Sequence, residues 1–289
     1  MGVDLQQLKK GGLLKQVQKE FFSLRLHIVG GQLTFNQLQM IAQVSKDFGN
    51  GEIHLTARQG VEIPFIKLQD FETIKNKLAQ VGLEPGACGP RVRTVTACQG
   101  CKICPNGLIE TKEFSKKIDE KFFGRDLKCK FKISISGCLN NCLKAEENDL
   151  GIKGCMEPEW LQANCIFCGL CEAICPVDAI KINYENRDVI FNPQKCIKCG
   201  RCVTSCSSDA WKGREGYLLL FGGRNGNVIT RGKQVVPVIY KEEKVLSVIE
   251  HTLKFIADYG NNEERFADIL QRVGNSQLQK YLKEVLESE

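Results

Sequence analysis

Long apolar runs, secretion signals and nucleotide-binding motifs are missing from this sequence. No run of eighteen apolar residues occurs, so we expect no membrane span. The first ten residues lack the apolar stretch of a secretory signal, and we expect a cytoplasmic protein. The sequence has neither a Gly-rich nucleotide fingerprint nor a nucleic-acid-binding motif. The formal net charge of +6 therefore does not by itself indicate a nucleic-acid partner.

Cysteine, by contrast, is abundant, with sixteen residues in the 289-residue chain. In a reducing compartment, patterned cysteines bind metal more often than they form disulfides. Eight of them form two runs of the pattern C-x2-C-x2-C-x3-C: Cys165, Cys168, Cys171 and Cys175, then Cys196, Cys199, Cys202 and Cys206.

These two runs are typical of bacterial ferredoxins, where the fourth cysteine of each run ligates the other cluster. The prediction is two [4Fe-4S] clusters with an exchanged fourth ligand: Cys165, Cys168 and Cys171 with Cys206, and Cys196, Cys199 and Cys202 with Cys175. A structural zinc site is the alternative, but zinc patterns favour paired C-x2-C units over runs of four cysteines.

A third group of four cysteines is split along the chain. Cys98 and Cys104 form a C-x5-C pair, and Cys138 and Cys142 form a later C-x3-C pair after Gly137. Cys101 lies inside the first pair. From the residues alone, this group could be an ordinary third cluster.

Alternation and capping signals predict an α+β protein with three domains. The first has the order βαββαβ, the ferredoxin-like split βαβ, with a capping box at Thr34 and Gln37 and a last strand at 92–97. A helix over 108–123, a strand over 128–136 and three C-terminal helices follow. Asn225-Gly226 predicts a type I′ hairpin turn. The expected domains are 1–90 as a ferredoxin-like half-domain, 91–155 with 211–289 as an α+β cluster domain, and 156–210 as an inserted two-cluster ferredoxin.

Basic residues accompany the split cysteines. Lys130 and Lys132 share one face of the predicted strand, where they could form either a solvated edge or an anion clamp. The segment 212–233 carries five basic residues and one acidic residue, with glycines that allow close approach to carboxylates or phosphates.

The split pattern, C-x5-C followed by G-C-x3-C, resembles the sirohaem sulfite and nitrite reductase family. With the inserted ferredoxin it is most similar to the C subunit of anaerobic sulfite reductases and to small dissimilatory-type members. The resemblance implies that Cys98, Cys104, Cys138 and Cys142 hold a [4Fe-4S] cluster, with Cys142 also bridging to the sirohaem iron. The segments around several other residues also resemble the family. This resemblance implies catalytic roles for Arg58, Arg93, Lys130 and Lys132, and cofactor binding by Gly222, Gly223 and Arg224.

The function implied by this resemblance is the six-electron reduction of sulfite to sulfide. Electrons would pass from the ferredoxin clusters to the cysteine-bridged cluster and sirohaem, making three [4Fe-4S] clusters in all. Nitrite reduction to ammonia on the same centre, and an electron-transfer subunit without sirohaem, are the alternatives. The expected partners are a flavoprotein or iron–sulfur electron donor and a second chain, identical or different, because larger family members carry two copies of this half-repeat.

Overall fold

The first domain is built around a sheet in the computed structural model, which describes residues 4–86 and 88–287. The sheet is antiparallel, with the order β1-β2-β4-β3. Its core includes Leu24 and Ile63 from the sheet and Ile41 and Ile74 from two helices. In chain order the elements are α1 (Leu5–Lys10), β1 (Leu13–Lys15), β2 (Phe21–Arg25), α2 (Phe35–Phe48), β3 (His54–Leu55), β4 (Val61–Lys67) and α3 (Phe71–Ala79).

Helix α2 begins as the sequence predicts. The Thr34 hydroxyl accepts a hydrogen bond from the Gln37 backbone N–H at 3.3 Å, and the Gln37 side chain accepts one from the Thr34 N–H at 2.9 Å. This reciprocal capping box confirms the predicted helix start.

The predicted last strand of the first domain is wrong. Only Thr96–Ala97 (β5) is a strand, and it pairs in parallel with Ile133–Ser136 (β6) in a different sheet. The edge beside β2 is instead occupied by β1, and Leu26 forms a bridge to Pro85. The α+β class is confirmed, but the chain leaves the first sheet before the expected strand.

The second domain contains a mixed sheet packed against helices. Its described strands have the order β11-β10-β7-β6-β5, and Phe114, Phe131, Phe255 and Phe266 are fully buried in its core. The remaining elements in chain order are α4 (Lys112–Phe122), β7 (Leu150–Trp160), α5 (Leu170–Ile174), β8 (Ile180–Asn183), β9 (Asp188–Phe191), α6 (Arg201–Thr204), β10 (Trp211–Phe221), β11 (Lys233–Gln234), α7 (Glu242–Tyr259), α8 (Phe266–Val273) and α9 (Asn275–Glu287).

Strand β6 is shorter than the predicted strand 128–136, and it does not alternate. All four of its residues are buried, because β6 lies in parallel between β5 and β7 and is covered on both faces. Lys130 and Lys132 therefore precede the strand rather than belong to it.

Residues 161–210 project from the end of a long hairpin. Strands β7 and β10 pair over eleven residues, from Leu150 opposite Phe221 to Trp160 opposite Trp211. The expected boundary at residue 156 falls inside β7. The projecting segment has its own small core, which includes Ile180, Val189 and Cys202.

The predicted two-residue turn at Asn225-Gly226 is wrong. Arg224 and Thr230 exchange two backbone hydrogen bonds of 2.9 Å, which leaves a five-residue loop over 225–229. In the described part of the chain, no helix combines the length and apolar character needed to cross a bilayer.

Candidate functional site: a basic cavity beside the split cysteines

A cavity of about 500 Å³ lies between the β3–β4 turn of the first domain and the second domain. Among the residues that the structure describes, none that lines this cavity is acidic. The basic residues of its wall are Arg25, Arg58, Arg93, Lys130, Lys132, Arg224 and Arg265. A concave surface with this excess of positive charge attracts anions and fits a ligand that carries several negative groups.

Arg58 extends from the β3–β4 turn into the second domain. Its guanidinium donates hydrogen bonds to the Asn148 side chain and, at 3.2 Å, to the Thr94 carbonyl. Burial lowers the pKa of Arg58 to about 10; the charge of Arg93 adds to this effect, and that of Asp149 opposes it. An anion bound beside Arg58 would stabilise this poorly solvated charge.

The neighbouring Gln59 fixes the turn that carries Arg58. The Gln59 side-chain amide donates to the Ala97 carbonyl at 2.9 Å, and its oxygen accepts from the Ala97 N–H at 3.0 Å. Gln59 also has a φ of 58°, which bends the chain sharply at this point. The Arg58-Gln59 pair thus joins the first domain to β5.

Lys130 and Lys132 point towards the same cavity. Burial lowers the pKa of both lysines, and nearby cations (Arg93 for Lys130, Arg58 for Lys132) lower it further. Within residues 4–86 and 88–287, neither ammonium donates a hydrogen bond to a protein group. Lys132 is half-buried and Lys130 is exposed, so the role of the two lysines as an anion clamp stays a prediction.

Asp149 supplies the counter-charge beneath the cavity, and sequence reasoning missed it. Asp149 is fully buried and accepts hydrogen bonds from the Lys132 N–H at 2.9 Å and from Arg265 Nη2 at 3.0 Å. Burial raises the pKa of Asp149. Arg25 and Arg265, on the cavity wall, were also not predicted as site residues. An Asn-Asp pair just before a buried apolar strand was the available signal for Asp149.

A second cavity, of about 360 Å³, adjoins the first. Both are lined by Ala57, Arg58, Lys132 and Asn225, and the second is also lined by Cys142. Each volume lies in the range of about 300–1,000 Å³ found for ligand and cofactor sites. The exposed Cys142 is therefore placed next to the basic cavity.

The other split cysteines lie close to Cys142. Burial raises the pKa of Cys138, and the nearby thiols of Cys98, Cys104 and Cys142 raise it further. The Gly137 N–H donates to Cys98 Sγ at 3.0 Å, and a Cβ on Gly137 would approach this sulfur to 3.3 Å. Four neighbouring thiols with a backbone donor are a suitable ligand set for a [4Fe-4S] cluster.

The eight remaining cysteines of the pattern surround two small cavities of about 20 Å³ each. Among the described residues, no group of Cys, His, Asp or Glu could hold a single metal ion. One cavity is lined by Cys175, Cys196, Cys199 and Cys202, the other by Cys165, Cys168, Cys171 and Cys206. This grouping agrees with the exchanged fourth ligand, although ligation itself stays a prediction.

Gly222 and Gly223 are not in the described lining of either large cavity. The Gly222 N–H donates to the Asp149 carbonyl at 2.9 Å, and a Cβ on Gly223 would overlap the backbone of Asn148. Arg224 does line the cavity, and Asp268 binds its guanidinium at 3.1 Å. The glycines therefore allow close packing of the loop that anchors Arg58, and their contact with a cofactor stays a prediction.

Comparison with known families identifies the class of protein. Residues 14–81 match the nitrite/sulfite reductase ferredoxin-like half domain, and residues 88–289 match the nitrite and sulphite reductase 4Fe-4S domain. The chain belongs to the nitrite and sulphite reductase family.

Individual relatives agree with this assignment. Coenzyme F420-dependent sulfite reductase of Methanocaldococcus jannaschii is 34% identical over 281 residues, which cover 96% of this chain and 45% of that protein. The C subunit of the anaerobic sulfite reductase of Salmonella typhimurium is 30% identical over 171 residues, which cover 54% of this chain and 50% of that protein. The chain thus spans about half the length of these two relatives.

The fold is shared with a solved structure at low sequence identity. Dissimilatory sulfite reductase I superposes with a TM-score of 0.74, over 93% of this chain and 70% of that one, at 19% identity. At this identity the likeness concerns the fold alone.

Proposed function

We propose that this chain reduces sulfite to sulfide with sirohaem and a [4Fe-4S] cluster at the basic cavity. The observation that carries the proposal is a wall of seven basic side chains, with no acid in the described lining, that adjoins the cavity of Cys142. Two relatives bear the name sulfite reductase. An electron-transfer subunit without sirohaem would have no need for such a wall.

The residues fit the proposed cofactors. The carboxylates of sirohaem match the arginines of the wall, since guanidinium groups bind carboxylates in a bidentate way. Cys98, Cys104, Cys138 and Cys142 would hold the cluster, with Cys142 on the sirohaem side. When bound, sirohaem with its coupled cluster would supply an iron with an open position and a route for electrons.

The side chains of the cavity would bind the anion and deliver protons. Six electrons and six protons convert one HSO₃⁻ into HS⁻ and three waters, so each departing oxygen needs a proton source. Arg58 and Arg93 would hold the sulfite oxygens. Lys130 and Lys132 are suited to donate protons, because burial lowers the pKa of each ammonium.

The two four-cysteine groups of 161–210 would hold two further [4Fe-4S] clusters that accept electrons from an external flavoprotein or iron–sulfur donor. Patterned thiols need a reducing compartment, so we place the protein in the cytoplasm. A second chain, identical or different, would supply the other copy of the half-repeat.

Replacing Lys132 by Gln tests the role of the cavity. Loss of one charge that acts mainly in the transition state should lower kcat/KM for sulfite by about 100-fold. Arg231→Gln is the matched control, because Arg231 is an exposed cation outside both large cavities. Full activity of the Lys132 variant, or preference of the wild type for nitrite, would contradict the proposal.

A further inference from the structure

The loop between Cys196 and Cys199 is fastened to strand β7 by its backbone. Lys198, at the bend of this loop, has a φ of 60°. Its carbonyl accepts a hydrogen bond from the Met156 N–H at 2.9 Å, and its own N–H donates to Cys196 Sγ at 3.3 Å. Cys199 also forms a bridge with Met156. One four-cysteine group is thereby tied to the hairpin of the second domain.

The Met156 side chain fills the space between the loop and strand β10. A Cβ on Gly200 would approach both Cβ and Sδ of Met156 to 3.0 Å, and a Cβ on Gly213 would overlap Sδ. Met156 itself is only 8% exposed. Two glycines thus leave room for one thioether, which makes the packing at this junction close.

Glu157 adds a polar clamp to this packing. One carboxylate oxygen accepts from Lys198 Nζ at 2.8 Å, and the other accepts from the Tyr240 hydroxyl. The Arg214 guanidinium lies 3.6 Å from the centre of the Tyr240 ring. The hydrogen bonds from Lys198 and Tyr240 lower the pKa of Glu157, so the carboxylate is ionised at neutral pH.

The fastened loop faces the split cysteine group across a cavity of about 200 Å³. Cys138 and Asn140 line one side of this cavity, and Ile197, Cys199 and Arg201 line the other. Cys165, Cys168, Cys171 and Cys206 are not in its described lining. The group that contains Cys199 is therefore the one presented to Cys138.

We propose that Glu157 is a positioning residue that, with Met156, holds the Cys196–Cys199 loop in place opposite Cys138. This inference rests on the proposed function and deepens it, because it assigns a residue that controls the approach between two electron-carrying centres. Electron transfer slows steeply with distance, so a loop free to move would transfer electrons less efficiently.

Glu157→Gln in the complete, cluster-loaded protein tests the proposal without measuring turnover. The Glu157–Lys198 pair is partly exposed, so loss of its charge should make amide hydrogen exchange at Met156 about threefold faster. The unpaired Lys198 charge should also raise the midpoint potential of one cluster in an EPR-monitored titration and leave the other clusters unchanged.

Glu159→Gln is the matched control, because Glu159 is exposed on the same strand and loses the same charge. Its Met156 exchange should equal that of the wild type. Equal exchange in both variants and the wild type, or a potential shift of the same size in the control, would overturn the proposal.

Tyr240→Phe keeps the test decisive if Glu157→Gln fails to fold. It removes one hydrogen bond from Glu157 and no charge, so Met156 exchange should rise about threefold with no shift in potential. Unchanged amide hydrogen exchange at Met156 would overturn the proposal that Glu157 holds the loop in place. A protein that shows these effects but lacks sirohaem would refute the proposed function and leave the clamp standing.

Discussion

The ion pair beneath the basic cavity offers a quantitative test of the site's electrostatics. Asp149 is fully buried, and Arg265 Nη2 lies 3.0 and 3.1 Å from its two carboxylate oxygens. Arg265→Met would keep most of the side-chain volume but leave the carboxylate without its main partner. Breaking a buried pair in this way costs about 3–5 kcal/mol.

The lower end of this range applies here. Asp149 keeps its hydrogen bond from the Lys132 N–H and the nearby charge of Arg58. For a chain of this size, 1 kcal/mol corresponds to about 2 °C in Tm. Anaerobic calorimetry should therefore show the Arg265→Met protein melting about 6 °C below the wild type.

The pH dependence has a definite sign. Burial already raises the pKa of Asp149, and loss of Arg265 would raise it further. A carboxyl whose folded pKa is raised contributes stability that is complete below its unfolded pKa and is lost as the pH rises through the folded pKa. The variant's loss in Tm should therefore be greater at pH 8 than at pH 5.5.

Asp149→Asn in the Arg265→Met background is the control. It removes the unpaired charge and should recover most of the lost Tm, in a double-mutant cycle with strong coupling. A double variant no more stable than Arg265→Met, or a loss in Tm that does not change with pH, would refute the electrostatic explanation.

Two other substitutions test the junction of the domains and the packing under the cavity. His27→Gln removes a ring that bonds Asp119 at 2.6 Å and Glu84 at 2.8 Å. Burial lowers the pKa of His27, but these hydrogen bonds outweigh it and the net pKa is raised. Its stabilisation is thus complete below the unfolded pKa and is lost as the pH rises, so calorimetry should show a loss in Tm of about 3 °C at pH 6 and less at pH 9. Gly223→Ala would force a Cβ into the backbone of Asn148, so kcat/KM for sulfite should fall about tenfold or more. Wild-type kinetics of this variant would show that the loop accommodates the added methyl group without affecting the site.

The cysteine groups and the helix signals could be predicted from the sequence because they depend on local spacing. The runs at 165–175 and 196–206 predicted the grouping around two cavities, and Thr34 with Gln37 predicted the start of α2. Local hydrogen bonds and ligand spacing are encoded within a few residues of each other, so tertiary packing changes them little.

The partners of short strands and of buried charges could not be predicted in this way. Alternation over 92–97 indicated a strand, but its pairing with β6 depends on residues far along the chain. Arg25 lies on the polar face of β2, where solvent was the obvious neighbour, yet it lines the cavity and binds Glu62 at 2.8 Å. The basic wall forms only when distant segments meet.

The most direct test of the account is anaerobic turnover of the purified, cluster-loaded protein with sulfite and a reduced dye. We expect a sirohaem absorption band, about thirteen irons per chain from three clusters and one sirohaem, and one sulfide for every six electrons consumed. A protein with full clusters but no sirohaem band, or one that produces ammonia from nitrite and no sulfide from sulfite, would contradict the account.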